Sequence, residues 1–283
     1  MKIFDLIGNT PLINLSRNIY AKLEKQNPSG SIKDRPVSYM IRNVIRHKIL
    51  TKDKILLDSS SGNTGISIAM LASSLGYKSK IVMPENMSVE RKKIIRAYGA
   101  EIVLTPAEKG ADGAIVKVEE LAKNSKYVYL NQYANGFNIK AHYETTGPEI
   151  WKQTKGNVKY VVAGMGTGGT LMGISKYLKN KNPEIKIVGV EPNGADLIQG
   201  LKNMSVNKVP AIFNQKVLDN KIVVTQKDAF ASAKQLAKQG IFVGISSGAV
   251  MFVANKLAKK TDEMIVIIFP DGGEKYLSTE LFS

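Results

Sequence analysis

Short apolar runs alternate with longer segments of helical periodicity along most of the chain. The runs are four to six residues long, and several are apolar at nearly every position, which is typical of strands covered on both faces. The predicted strands are residues 54–58, 80–83, 101–104, 127–130, 159–163, 185–190, 222–225 and 264–269.

The segments between these runs place apolar residues at the spacing of a helix face. The predicted helices are residues 64–75, 88–98, 112–123, 170–179, 228–238 and 247–259. Such alternation predicts an α/β fold with mainly parallel sheets and helices on both faces. No internal repeat or Ser/Pro-rich linker interrupts the pattern, so any two lobes are expected to pack together.

Composition restricts the available chemistry. The 283 residues include no cysteine and only two histidines, His47 and His142. Disulfides, a thiolate nucleophile and Cys-based metal sites are therefore excluded, and a His-rich metal site is not expected. Catalysis must use lysine, hydroxyl groups, carboxylates, backbone amides or a bound cofactor.

The net charge of +16, from 40 Lys and Arg against 24 Asp and Glu, raises the question of a nucleic-acid partner. The basic residues are spread along the chain and interleaved with acids, so no nucleic-acid partner is predicted.

The longest uncharged stretch, residues 59–77, is rich in Ser, Gly, Asn and Thr and is too polar to cross a bilayer. No export signal is apparent, and a cytoplasmic location is expected.

The first of three glycine-rich turns is residues 59–65, SSSGNTG, between a predicted strand and a predicted helix. Hydroxyls, an amide side chain and free backbone N–H groups meet there at the positive end of the helix. This combination favours a carboxylate or phosphate site, although an N-cap with a tight turn explains one or two of the residues.

The second turn, residues 164–170, is GMGTGGT and also lies between a strand and a helix. Its small residues allow a phosphate to approach several backbone N–H groups. Gly164, Gly166 and Gly169 also fit G-x-G-x-x-G, and Glu191 follows at the distance of a ribose-binding acid. An NAD-dependent dehydrogenase is therefore the alternative from a different class of enzyme.

The third turn, residues 244–249, opens a helix and contains Ser246, either a ligand contact or a helix N-cap.

Lys33 lies in a turn-rich stretch between small and apolar neighbours. An enzyme without cysteine that relies on a cofactor can use an amine to form a Schiff base, and a phosphate-binding turn elsewhere fits pyridoxal 5'-phosphate.

Four segments together resemble the ordered motifs of the cysteine synthase family, the O-acetylserine sulfhydrylases, which are fold-type II pyridoxal-phosphate enzymes related in fold to tryptophan synthase β. These segments are residues 27–35, 61–65, 166–170 and 244–248. Residues 7–12 and 275–279 match as well, so the resemblance covers nearly the whole chain. It is strongest to the B-type members, on residues 83–88, 90–101, 142–151 and 209–214.

The resemblance implies a role for each matching residue. Lys33 carries the cofactor as an internal aldimine and takes the substrate α-proton, Asn63 hydrogen-bonds the cofactor 3′-oxygen, and Ser246 contacts the pyridine nitrogen. The residues implied to bind the phosphate are Gly166, Thr167, Gly168, Gly169 and Thr170. The residues implied to bind the substrate carboxylate are Ser60, Ser61, Gly62, Thr64 and Gln132.

The implied reaction is β-replacement through an α-aminoacrylate: O-acetyl-L-serine loses its β-substituent, and sulfide or thiosulfate adds to give L-cysteine. O-phosphoserine sulfhydrylase and cystathionine β-synthase-like activities are the alternatives within the fold. Lys202 stands where relatives that prefer O-phosphoserine carry an arginine, and we expect it to be either a phosphate contact or, more simply, an exposed loop lysine.

The resemblance also implies the domain organisation. Residues 36–137 are predicted to form a smaller mobile lobe that carries the carboxylate loop. Residues 1–35 with 138–283 are predicted to form the larger lobe, with the cofactor in the cleft between the two. A homodimer is implied, and no metal is expected.

Overall fold

The computed structural model describes residues 3–60 and 62–282, which include ten strands and nine α-helices. The strands are β1 (Leu12–Asn14), β2 (Ile19–Leu23), β3 (Ile55–Ser59), β4 (Lys78–Pro84), β5 (Glu101–Thr105), β6 (Tyr127–Tyr129), β7 (Val158–Gly164), β8 (Lys186–Pro192), β9 (Asn220–Val224) and β10 (Met264–Phe269). The helices are α1 (Asp34–Arg46), α2 (Asn63–Ser74), α3 (Val89–Ala97), α4 (Gly110–Leu121), α5 (Gly136–Ala141), α6 (Gly147–Gln153), α7 (Gly169–Lys181), α8 (Gln226–Lys238) and α9 (Ile245–Ala258).

The strands form two sheets. The larger has the order β1-β2-β10-β7-β8-β9, and the smaller has the order β5-β4-β3-β6. Every pairing is parallel except β1 with β2, which are joined by a short turn and pair antiparallel. The α/β fold with mainly parallel sheets is therefore confirmed.

Helices cover both faces of the larger sheet, as β10 shows. Ile265, Ile267 and Phe269 pack in one apolar cluster with α8 and α9, whereas Val266 and Ile268 pack in another with α7. Since successive side chains of a strand point to opposite faces, an all-apolar strand needs a helix layer on each side. The smaller sheet is built in the same way, with Leu56 facing α2 and Leu57 facing α4.

All eight predicted strands and all six predicted helices are present, and each end lies within two residues of its predicted position. Strands β1 and β2 and helices α1, α5 and α6 were not predicted. The strands of the smaller sheet all come from residues 55–129, inside the predicted smaller lobe, and the lobe boundaries themselves stay a prediction. Within the described residues, no helix is long and apolar enough to cross a membrane.

A buried ion cluster joins the start of α1 to α6 and β2. Arg35 donates from Nε and Nη2 to the carboxylate of Glu24, at 2.7 and 2.8 Å, and from Nη1 and Nη2 to that of Glu149, at 2.6 and 2.7 Å. Lys22 also donates to Glu149, at 2.6 Å. Lys22, Glu24 and Arg35 are fully buried. We call these four residues the Arg35 cluster, and it holds the N-terminal end of α1.

Candidate active site

Lys33 lies directly before α1, in a turn that is held by the next residue in the chain. The Asp34 carboxylate accepts hydrogen bonds from the Ser29 amide at 2.7 Å, from the Ser67 hydroxyl at 2.5 Å, and from the Ser29 hydroxyl. Burial lowers the pKa of Lys33, and the nearby charge of Asp271 opposes that shift. The half-buried amine is thus inclined to be neutral, as a nucleophile or base requires.

The turn between β3 and α2 is closed by its own side chains. The Ser60 hydroxyl accepts hydrogen bonds from the amides of Gly62, at 3.0 Å, and Gly65, at 2.8 Å. Gly62 has a φ of 151°, a conformation that few side chains tolerate. Ser61, a predicted substrate contact, lies outside the described residues. The Ser60 hydroxyl therefore caps the start of α2, which is the structural role that the sequence allowed for one or two residues of this turn.

Gln132, three residues after the end of the neighbouring strand β6, is hydrogen-bonded to this turn. Its side-chain oxygen accepts from the Thr64 hydroxyl at 2.7 Å, and its amide nitrogen donates to the Ser59 carbonyl at 2.7 Å. Because β3 and β6 are parallel neighbours, their carboxyl ends meet at one edge of the sheet. Two segments 70 residues apart in the sequence are thereby brought into one site.

The turn between β7 and α7 approaches other backbone closely. A Cβ atom at Gly166 would lie 2.7 Å from the Gly200 carbonyl oxygen, so only glycine fits there without displacement. Asn138 donates to the Thr167 hydroxyl at 3.1 Å, and the Thr170 hydroxyl lies 3.3 Å from Nε2 of His142. The turn presents backbone N–H groups at the start of a helix of 13 residues, an arrangement suited to an anion.

Asn63 is held on both sides by residues near the C-terminus. Its Nδ2 donates to Asp271 at 2.7 Å, and Lys275 donates to its Oδ1 at 3.2 Å. Tyr276 donates to the same Asp271 oxygen, at 2.7 Å. Arg91 of α3 lies 3.8 Å from that carboxylate and over the Tyr276 ring. Sequence inspection did not single out Arg91 as a site residue, since these partners meet only in the folded chain.

Two adjoining clefts collect most of the predicted residues. The inner cleft encloses about 600 Å³, its open mouth included, and the outer cleft about 980 Å³. Predicted residues that line the inner cleft are Lys33, Asn63, Gly166, Thr167, Gly168, Thr170 and Ser246. Predicted residues that line the outer cleft are Lys33, Ser60, Asn63, Thr64, Gln132, Gly166, Thr167 and Lys202. Gly62 and Gly169 lie in the same turns without lining either cleft.

Lys202 differs from the simpler expectation. Only 8% of the residue is exposed, so the interpretation as an exposed loop lysine is wrong. Its Nζ donates to Asp112 at 3.1 Å and lies 4.9 Å from the centre of the Tyr133 ring. The lysine is held at the wall of the outer cleft by an acid and an aromatic ring.

Glu191 is not available for a ribose. One of its carboxylate oxygens accepts from the Met204 amide at 2.9 Å, and the other pairs with Lys221 at 2.7 Å. The acid is 1% exposed. The G-x-G-x-x-G pattern therefore lacks the accessible acid that the dehydrogenase alternative requires.

A phosphorylated aromatic aldehyde fits the inner cleft. Lys33 lines the same cleft as the glycine turn, with Asn63 and Ser246 also on the walls. The close approach at Gly166 leaves the backbone N–H groups of the turn uncovered by side chains. Within the described residues, no group of His, Asp and Glu side chains could hold a metal ion.

Comparison with known proteins agrees with this geometry. The sequence model of the family of pyridoxal-phosphate dependent enzymes matches residues 3–271 of this chain. The chain is 46% identical to a cysteine synthase of Aquifex aeolicus, over 99% of this chain and 92% of the relative, and 43% identical to cysteine synthase B of Campylobacter jejuni, over 100% and 98%. The structure of a hydrogen sulfide-producing enzyme from Fusobacterium nucleatum superposes with a TM-score of 0.93 at 40% identity, covering 98% of this chain and 99% of that one.

The fold and the inner cleft define a pyridoxal-phosphate dependent enzyme of fold-type II. Its cofactor is pyridoxal 5'-phosphate. Within that class, the chain belongs to the cysteine synthase family.

Proposed function

We propose that the protein is a cysteine synthase that replaces the acetoxy group of O-acetyl-L-serine with sulfide, giving L-cysteine and acetate. The observation that carries this proposal is the continuity of the two clefts at Lys33 and Asn63, which line both. A cofactor in the inner cleft is thereby adjacent to the outer cleft, whose polar side chains, among them Thr64 and Gln132, suit an amino acid. The relatives that are 46% and 43% identical to this chain are named cysteine synthases, which supports the same reaction.

We assign the cofactor contacts to residues of the inner cleft. Lys33 attaches the cofactor, Asn63 and Ser246 contact its ring, and the phosphate is bound by residues of the glycine turn. The turn residues are Gly166, Thr167, Gly168, Gly169 and Thr170. When bound, the cofactor supplies an electron sink for the electrons of the substrate Cα–H bond.

The substrate carboxylate is assigned to the turn that opens α2. The residues are Ser60, Ser61, Gly62, Thr64 and Gln132. Backbone N–H groups at the start of a helix of 12 residues favour a negative charge there, and Thr64 with Gln132 adds polar groups to the wall of the outer cleft.

Lys33 also moves the proton in this proposal. Burial lowers the pKa of its amine, which favours the neutral form that a base requires. It takes the α-proton of the bound substrate as the acetoxy group leaves. Arg91 and Lys202 line the outer cleft, and their positive charges favour an anionic nucleophile such as sulfide there.

The experiment is replacement of Lys33 by alanine. We expect purified wild-type protein to be yellow and to make cysteine from O-acetyl-L-serine and sulfide, and Lys33→Ala to lose at least a thousandfold in kcat. Lys260→Ala, which removes an exposed lysine, is the matched control and should keep wild-type activity. Full activity of Lys33→Ala would contradict the proposal.

O-phosphoserine is the second candidate substrate, and the burial of Lys202 favours it. Lys202 and Arg91 lie on the wall of the outer cleft, each with one carboxylate nearby, Asp112 at 3.1 Å and Asp271 at 3.8 Å. A substrate phosphate there gains a charge-assisted contact that a neutral acetyl group does not. Rates with the two activated serines at equal concentration discriminate between these candidates.

The remaining expectations stay predictions. These are the use of thiosulfate in place of sulfide, the homodimer and the cytoplasmic location. Sedimentation equilibrium of the purified protein tests the dimer, since a mass of 30.9 kDa is expected for one chain and twice that for the pair. Fractionation of the source cells tests the location.

A further inference from the structure

His142 is a buried histidine that reaches the turn between β7 and α7 from a neighbouring helical segment. It begins a π-helical turn, His142–Thr146, between α5 and α6. Nδ1 of its ring lies 2.9 Å from the Thr146 hydroxyl, and Nε2 lies 3.3 Å from the Thr170 hydroxyl. The ring therefore bridges two hydroxyl groups, of which the second belongs to the turn assigned to the cofactor phosphate.

Close packing of α7 on the π-helical turn fixes this bridge. A Cβ atom at Gly173 would lie 2.5 Å from the Ile139 carbonyl oxygen and 2.6 Å from Cβ of His142, so glycine allows the two helical segments to approach closely. Thr170 lies three residues before Gly173 and thus on the same face of α7. The positions of the ring and of the Thr170 hydroxyl are therefore set by the packing of α7.

The hydrogen-bonding capacity of Thr146 decides which ring nitrogen carries the proton. Thr146 and His142 have no exposed surface, and among the described residues the ring of His142 is the one hydrogen-bond partner of the Thr146 hydroxyl. A buried hydroxyl proton without an acceptor costs free energy. Thr146 therefore donates to Nδ1, which must then be unprotonated. The proton of the neutral ring is left on Nε2.

The surroundings favour the neutral ring. Burial lowers the pKa of His142 well below its usual value, and the positive charges of Arg35 and Lys33 lower it further. The negative charge of Glu149 opposes this shift without reversing it. A charged ring would also donate from both nitrogens and leave the Thr146 proton without an acceptor. Geometry and charge therefore agree on a neutral ring with its proton on Nε2.

We propose that His142 is a positioning residue that prepares Thr170 for the cofactor phosphate: Nε2–H donates to the Thr170 oxygen, so that the Thr170 hydroxyl proton is left free to donate to the phosphate. Thr170 lines the inner cleft. With the ring proton on Nδ1 instead, Thr170 would donate to Nε2 and present only lone pairs to an anion. The inference rests on the proposed function, because it assumes that the phosphate binds at this turn.

The first test measures the state of the ring directly in the holoenzyme. The chain contains two histidines, and the other, His47, is exposed, so His47→Gln with isotope-labelled histidine gives ring signals from His142 alone. Long-range proton–nitrogen correlation spectra distinguish the two neutral tautomers and the charged ring. We expect the Nε2–H tautomer at neutral pH. The Nδ1–H tautomer or a charged ring overturns the proposal without any change at the site.

Amide side chains separate the roles of the two ring nitrogens. A glutamine amide reaches the position of Nε2, whereas an asparagine amide reaches only that of Nδ1. We expect His142→Gln to keep the donor to Thr170 and to bind the cofactor within about threefold of the wild type, and His142→Asn to bind it about tenfold more weakly. His47→Asn is the matched control and should bind the cofactor like the wild type. A cofactor titration followed by absorbance measures each affinity.

Thr170→Val distinguishes this positioning role from general damage to the packing. If His142 acts through Thr170, His142→Asn and Thr170→Val each lose about tenfold in cofactor affinity, and the double variant loses no more than either. Losses that multiply to about a hundredfold in the double variant overturn the proposal, as do equal losses in His142→Gln and His142→Asn. The tautomer decides the question even if His142→Asn fails to fold.

These measurements use bound cofactor and not turnover. Failure of the wild type to make cysteine from O-acetyl-L-serine contradicts the proposed reaction, whereas the tautomer and the cofactor affinities decide the role of His142 by themselves.

Discussion

At the scale of single residues, the orientation of the Asn63 side chain is determined before any ligand binds. An acceptor, Asp271, and a donor, Lys275, hold the two ends of its amide group, and these contacts distinguish the oxygen from the nitrogen. A side chain that is held in place loses little conformational entropy on binding. A cofactor ring bound as proposed therefore meets a preorganised amide.

Replacement of Asp271 by alanine should weaken cofactor retention about tenfold, because Asn63 loses its acceptor and Lys275 loses a nearby carboxylate. The measurement is the release of cofactor absorbance on dialysis. Tyr276→Phe is the comparison, since it removes a different donor from Asp271 and leaves the Asn63 contact in place. Equal losses in the two variants would argue against a role of the Asn63 orientation.

Lys202→Ala should discriminate between the two activated serines. We expect kcat/KM for O-phosphoserine to fall about tenfold and that for O-acetyl-L-serine to change less than threefold, because only the phosphate needs the positive charge. Lys208→Ala removes an exposed lysine of the same loop and serves as the control. An unchanged kcat/KM for O-phosphoserine in Lys202→Ala would show that Lys202 does not contact the substrate phosphate.

At the scale of elements, hydrophobic patterning predicted those strands and helices whose partners are apolar. Both ends of β10 were predicted correctly because all six of its residues are apolar. Strand β2 was missed because it is short and contains the charged residue Lys22, whose buried amine is satisfied by Thr10 and by Glu149 and Gln153 of the distant helix α6. Helix α1 begins with Asp34 and Arg35, which look like surface residues in the sequence. Both are buried, Asp34 by hydrogen bonds from Ser29 and Ser67 and Arg35 by ion pairs with Glu24 and Glu149.

The same limit applies to the candidate site. Turns such as residues 164–170 were predicted because glycine and a following helix are visible locally. The contacts of Asp58 and Lys202 depend on segments that lie 74 and 90 residues away along the chain, with Gln132 and Asp112 as the partners. No periodicity or spacing encodes such pairs, and only the topology of the sheets brings them together.

Gly166→Ala tests the turn between β7 and α7 as a unit. The added Cβ atom meets the Gly200 carbonyl at 2.7 Å, and backbone at both positions must move to relieve the contact. Overpacking of this kind typically costs about 1–3 kcal/mol, so we expect the affinity for the cofactor to fall by about tenfold or more. A cofactor titration followed by absorbance measures it.

Gly136→Ala is the control for this variant, because a Cβ atom there has open space around it. It should bind the cofactor like the wild type. Unchanged affinity in Gly166→Ala would show that the turn does not need its close approach to Gly200.

At the scale of the whole molecule, the Arg35 cluster links the stability of the fold to pH. Burial alone raises the pKa of Glu149, but the hydrogen bonds and charge of Arg35 and Lys22 reverse this and lower it to about 2. A carboxyl with a lowered pKa contributes stability above its unfolded value of 4.5, and that contribution is lost as the pH falls through 2. The cluster should therefore be a main site of acid sensitivity.

Glu149→Gln should lower the free energy of unfolding by about 3 kcal/mol at pH 7, and the difference from the wild type should shrink between pH 4.5 and pH 2. Urea unfolding at several pH values measures this dependence. Glu184→Gln, which removes an exposed acid paired with Lys159, should change the free energy by less than about 0.5 kcal/mol. If the difference in free energy of unfolding between Glu149→Gln and the wild type stays constant from pH 4.5 to pH 2, Glu149 is not the group that titrates there.

The strand order of the larger sheet also has a consequence for how the chain folds as it is synthesised. Strand β10 lies between β2 and β7, so the ribosome adds a central strand after every other strand of that sheet. The smaller sheet uses only residues 55–129 and can form while synthesis continues. Until β10 arrives, β2 and β7 expose unpaired edges that neighbouring nascent chains could join. The period of greatest aggregation risk thus falls late in translation, and the cofactor can bind only after it has passed.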